Sequence, residues 1–166
     1  MKRYLILLAS ILILAAGPAR AEVISGFITA ITDGDTIQLR DGNRQFHSIR
    51  IEGIDAPEKT QPFGVKSQAN MGRLAFNKNA VADCPRRDRY GHLVCKVTVN
   101  GVDVGLQQLA DGMAWWYRKY ARDQSPEDRA SYGRAETMAK LRRLGLWAGP
   151  TPMPPWEWRQ RYGSRN

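Results

Sequence analysis

Residues 27–58 read FITAITDGDTIQLRDGNRQFHSIRIEGIDAPE, and this stretch decides the fold. Residues 23–24 and 27–31 are rich in β-formers, residues 36–40 alternate apolar with polar, and residues 45–54 make a third such run. Three strands are predicted. Asp33-Gly34 and Asp41-Gly42-Asn43 separate them with residues that tolerate tight turns, so the strands follow one another as hairpins.

Working outward, residues 63–79 are predicted as a helix with Val65, Ala69, Gly72 and Phe76 on one apolar face. Residues 80–84 and 93–99 form a hairpin around Asp88-Arg89-Tyr90-Gly91. Residues 104–111 make a short helix stopped by Gly112. Ser125, Pro126 and Asp128 are cap, first-turn proline and reciprocal acid of another helix, which runs to about Leu144 and ends at Gly145. Five short strands with a helix inserted before the last two suggest a small closed barrel of the oligonucleotide-binding type, mainly β with helical flanks. A generic α+β domain would produce a similar pattern.

At the amino end, Met1-Lys2-Arg3, an apolar run over residues 4–16 and Ala19-Arg20-Ala21 have the order of a cleavable export signal. The expected organisation is a signal over 1–21, one barrel domain over 22–148 and a Pro/Trp/Arg-rich tail over 149–166. The chain carries 25 basic and 16 acidic residues, a net charge of +9. Such a balance suits a polyanionic partner, nucleic acid or an anionic envelope polymer. Cys84 and Cys95 lie symmetrically about the turn at residues 88–91, which makes a cross-strand disulfide reasonable in an exported protein. Two buried free thiols are the alternative.

The hairpins bring hard oxygen ligands, a candidate base and a fixed positive charge to neighbouring strand ends. Asp35 and Asp55 are the best metal ligands, and with His47 and His92 as the only histidines a multi-histidine site is excluded. Oxygen donors select calcium or magnesium over zinc or copper, and they also accept manganese. Taken alone, Asp33-Gly34-Asp35 is equally an ordinary turn. Arg50 and Asp55 differ in parity along a regular strand, so they can meet only through a bend, and Gly53 stands between them. Glu52 shares the parity of Arg50 and is expected to pair with an ion on a solvated face. Glu58 on the following loop could accept a proton from water or orient it. It could also be a plain loop acid. In the segment Trp115-Trp116-Tyr117-Arg118-Lys119-Tyr120, Arg118 and Lys119 could hold a phosphate backbone while aromatics stack on bases. The alternative is that the tryptophans pack against the last helix.

Asp33-Gly34-Asp35-Thr36, Arg50 with Asp55-Ala56-Pro57-Glu58, and Asp88-Arg89-Tyr90-Gly91, in this order and spacing, resemble the thermonuclease (staphylococcal-nuclease-like) family. The likeness spans roughly residues 23–147. Gly145-Leu146-Trp147 and Pro-Pro-Trp-Glu-Trp-Arg are similar to exported bacterial members. The resemblance implies a five-stranded oligonucleotide-binding barrel with three helices and a calcium-dependent endonuclease acting on DNA and RNA. By position it implies Asp35, Asp55 and the Ala56 carbonyl as calcium ligands, Glu58 as base, Arg50 as phosphate contact and Tyr90 in the nucleotide pocket. The family usually has arginine where this chain has His92. An imidazole is charged only if its pKa rises, so His92 either stabilises charge or protonates the leaving oxygen, or it weakens the site. Arg87, expected opposite His92, and Arg89 nearby offer partial rescue. The rival is a non-catalytic nucleic-acid-binding barrel. A monomer, periplasmic or secreted, is expected.

Overall fold

The computed structural model describes residues 22–163, so the export signal read over residues 1–21 and the last three residues of the tail lie outside it. Strands β1 (Glu22–Ile31), β2 (Thr36–Asp41) and β3 (Phe46–Ile51) form the antiparallel meander expected from the hairpin turns. Strands β5 (Asn79–Arg87) and β6 (Leu93–Val99) add the second hairpin, β5 beside β1. Parallel pairing of β3 with β6, with Arg50 opposite Val94, closes the five strands into a barrel. Closure removes the open edges that a five-stranded sheet would otherwise expose. No helix among the described residues is long and apolar enough to cross a membrane.

Alternation in the strands fills the barrel. Ile28, Ile37, Leu39, Ile49, Ile51 and Val97 are fully buried. Each such aliphatic side chain stabilises the fold by about 1.5–3 kcal/mol before the entropy of ordering is subtracted. Helices α1 (Gly64–Ala75), α2 (Val104–Ala110) and α3 (Pro126–Leu141) flank the barrel, and α4 (Pro155–Tyr162) adds a fourth within the tail. Ser125 caps α3 by accepting from the Asp128 amide, and Asp103 caps α2 by accepting from Gly105 and Leu106.

The buried face of α1 differs from the one expected. Gly64, Ser67, Met71 and Ala75 face inward, while Val65 and Phe76 are exposed. Ser67 can be buried because its hydroxyl donates to the Met113 carbonyl at 2.7 Å, which an apolar-stripe count does not anticipate.

The third strand also stops short of its expected end. After Ile51 the chain turns through Glu52-Gly53, and β4 (Ile54–Asp55) pairs with β8 (Trp115–Trp116) in a separate small sheet, while β7 (Val102–Asp103) turns back antiparallel on β6. Glu52 lies beneath this turn and not on a solvated face. It is 8% exposed, and its Oε1 has no hydrogen-bond partner among the described residues. Burial pushes its carboxyl from an ordinary 4.5 up to about 7.

The disulfide joins Cys84 to Cys95 as the turn symmetry suggested. Towards the tip the register slips by one residue at a bulge, so Arg87 stands opposite Leu93 and not His92.

Because the fold favours neutral Glu52, the stability it contributes is complete below 4.5 and lost as pH rises through about 7. Glu52→Gln removes that loss. In urea unfolding the variant should match the native chain near pH 4.5 and exceed it by about 1–3 kcal/mol at pH 8. A difference independent of pH would contradict the assignment.

Candidate active site

The β1–β2 turn holds the first acids. The Asp33 carboxylate accepts from the Asp35 amide at 3.0 Å, which sets the turn, and Asp35 then points inward at 3% exposure. Buried Gln108 on α2 donates to the Gly34 carbonyl at 2.7 Å and to Ser67 on α1. A Cβ on Gly34 would run into Ser67 and Ala56. The turn is thus clamped by two helices, and only glycine fits between them.

The second set of residues depends on Gly53. With φ at 74°, it lets the chain reverse direction so that Asp55 comes back towards Arg50. Arg50 Nη2 lies 2.8 Å from Asp55 Oδ1 and 3.3 Å from Asp35 Oδ2, so one nitrogen spans both carboxylates. Asp35 Oδ2 also accepts from the Ala56 amide at 2.8 Å. Glu58 follows on the loop, its amide held by Gln61.

One participant has no counterpart in the expected set. Arg159, from α4, places Nη2 at 2.7 Å from Asp55 Oδ2 and Nη1 at 2.8 Å from Glu58 Oε1 and 3.2 Å from Asp55 Oδ1. Two guanidiniums therefore meet on one carboxylate that is wholly buried. The only sequence signal was the Pro-Pro-Trp-Glu-Trp-Arg tail, whose prolines start a helix.

The cluster carries more negative than positive charge. Burial, and then the Asp35 charge, push the Asp33 carboxyl up to about 7. Burial raises the Asp55 carboxyl, and two permanently charged guanidiniums oppose that rise. The Asp35 charge in turn lifts Arg50, already always protonated, further still. Three acids, Asp35, Asp55 and Glu58, thus bond two arginines, with Asp33 beside them. No three acidic, histidine or cysteine side chains among the described residues are close enough to cage an ion unaided. The guanidiniums stand between them. Hard oxygen donors in excess of the positive charge are the chemistry a divalent cation takes, and Asp35 and Asp55 are the residues that could hold one.

The remaining candidates lie outside this cluster. The β5–β6 hairpin joins the barrel where Val94 pairs with Arg50, and its tip lies beyond Leu93. Tyr90 is exposed there with Arg89 over its ring, and Arg87 binds the Gly91 carbonyl and Glu22. The imidazole of His92 turns to Asp88, Nδ1 at 3.1 Å from Oδ2. Arg118 bonds buried Glu136 at 2.7 Å and covers the Trp116 ring, while Lys119 covers Tyr120. Trp115 is buried edge-on to Trp147, the packing arrangement left open above.

Residues 48–149 match the family described as staphylococcal nuclease homologue. The micrococcal nuclease of Shigella flexneri is 32% identical over 92% of this chain and 89% of its own length. A protein of Escherichia coli O157:H7, described as an uncharacterized endonuclease, is 33% identical over 97% and 99% respectively. The Escherichia coli protein ParB is 34% identical over 92% and 88%.

A Cβ on Gly53 would strike the Gln124 side-chain amide and impose an L residue on a positive φ. Gly53→Ala should lower the unfolding free energy by about 1–3 kcal/mol in urea titration. An unchanged midpoint would mean that the turn is not constrained.

Proposed function

Because this chain belongs to the staphylococcal nuclease family and is a hydrolase of nucleic-acid ester bonds, we propose that it is an exported, calcium-dependent endonuclease cleaving both DNA and RNA. The observation that carries the reading is the convergence of Asp35, Asp55 and Glu58 on shared guanidiniums at one end of the barrel.

In this reading Asp35 and Asp55, with the Ala56 carbonyl, hold the ion. Calcium, when bound, supplies Lewis-acid stabilisation of the charge that builds on the phosphoryl oxygens. Magnesium or manganese, which take the same oxygen donors, are the lesser alternatives. Glu58 orients a water and takes its proton as oxygen attacks phosphorus in line. Arg50 donates to the non-bridging oxygens, more strongly as the five-coordinate phosphorane develops. The bond from phosphorus to the 5′-oxygen breaks, leaving a 5′-hydroxyl and a 3′-phosphate. His92 is assigned the proton for that oxygen, the role its position on the hairpin suits best.

Arg87, Arg89 and Tyr90 on the hairpin, with Arg118 and Lys119 beyond β8, are assigned to the nucleic-acid strand, where cations track phosphates and aromatic faces stack on bases. The export signal pattern and the Cys84–Cys95 bridge support a periplasmic or secreted location, since such bridges persist in oxidising compartments. We assign a monomer. A second reading, a barrel that binds nucleic acid without cutting it, is favoured by one observation, the turning of His92 away to Asp88.

Single-stranded DNA incubated with the mature protein should be cut in calcium and not in chelator. Glu58→Gln should lower the rate by about 10²–10⁴. Binding without calcium-dependent cutting would favour the second reading. If His92 supplies that proton, His92→Arg should lower turnover by about tenfold or more, and kept or raised turnover would make the residue a phosphate contact that arginine serves as well.

A further inference from the structure

The C-terminal helix reaches the carboxylate cluster by construction. Gln61 donates to the Met153 carbonyl at 2.6 Å just before the helix begins, and Pro155 in its first turn is buried. The Trp156 ring stacks on Tyr117 with centroids 5.5 Å apart and planes within 14°. Arg159 lies three residues beyond Trp156, on the same side of the helix, so the contacts that anchor α4 also aim the arginine. Burial works against its charge, but hydrogen bonds to Asp55 and Glu58 prevail and strengthen its hold on its protons.

A guanidinium offers five N–H donors in a rigid fork. The contacts of Arg159 with Asp55 and Glu58 use three, and the side chain keeps 27% of its surface open to solvent. Arg50, on the other side of Asp55 Oδ1, is likewise partly open at 32%. Two solvent-reaching forks, set by one buried carboxylate, make a cradle for a tetrahedral oxyanion.

We propose that Arg159 is a second phosphate-binding residue of this nuclease, delivered to the scissile phosphodiester by the tail helix. This rests on the nuclease reading above. Held by Asp55 and Glu58, the fork is oriented before substrate arrives, and its open donors meet the phosphate beside those of Arg50. The tail is thereby part of the site.

Three variants of the full mature chain test this: Arg159→Gln, Arg159→Lys and, as a control, Arg161→Gln on the exposed side of the same helix. Three quantities are read. They are kcat and KM at saturating calcium, anisotropy of a labelled single-stranded oligonucleotide in chelator across a salt series, and calcium affinity by calorimetry without nucleic acid. Arg159→Gln should lower kcat/KM by about 10²-fold. It should also weaken oligonucleotide binding and make its logarithmic salt slope shallower by about 0.7, one phosphate contact fewer on a single strand. Arg159→Lys should recover part of both, and Arg161→Gln should behave as the native chain. Should the glutamine variant not fold, the lysine variant carries the test, with an expected loss in kcat/KM of about tenfold for losing the fork. Native cleavage and an unchanged salt slope in the variants would overturn the proposal. So would tighter calcium binding with undiminished cleavage, which would make Arg159 a tethered competitor of the ion. If the native chain itself fails to cut, the nuclease reading falls, and the salt slope alone still decides for or against Arg159 as a phosphate ligand.

Discussion

One buried carboxylate organises this protein. Asp55 lies entirely out of water, where an ionised acid without partners would be untenable, and it is reached by Arg50 from the barrel wall and by Arg159 from the tail. The barrel must close for Arg50 to stand at its strand end. The chain must reverse at Gly53 for Asp55 to face it, and the tail must dock for Arg159 to arrive. Fold and site are therefore one electrostatic problem, in which three acids are drawn to one place by two arginines.

The hairpin turns illustrate how the same residues serve stability and chemistry. Asp33 closes the first turn through the Asp35 amide, and burial beside the Asp35 charge pushes its own carboxyl up to about 7. Gln108 and Ser67, uncharged and deeply buried, lock that turn against two helices. Such polar groups lie inside only because each finds a partner. They give the acids fixed positions without adding to the charge.

Much of this was legible in the sequence. Apolar alternation and turn residues marked the barrel strands, and the parity conflict between Arg50 and Asp55 pointed to a bend at Gly53, where the chain does turn. Periodicity failed where a polar residue took a buried place, as Ser67 does on α1 and Glu52 does beneath its turn. It also missed the bulge that moves Arg87 from His92 to Leu93, since a register count assumes an unbroken ladder. Arg159 was out of reach for a different reason. It lies 104 positions from Asp55, and no local pattern encodes a contact made by docking one element on another.

The central claim is that Asp35 and Asp55 together hold a divalent ion at this place, beside the two arginines. A crystal structure of the mature chain grown with calcium tests it most directly. One ion ligated by carboxylate oxygens of Asp35 and Asp55 is the expected result. Calcium bound elsewhere, with both acids still closed on Arg50 and Arg159, would contradict it.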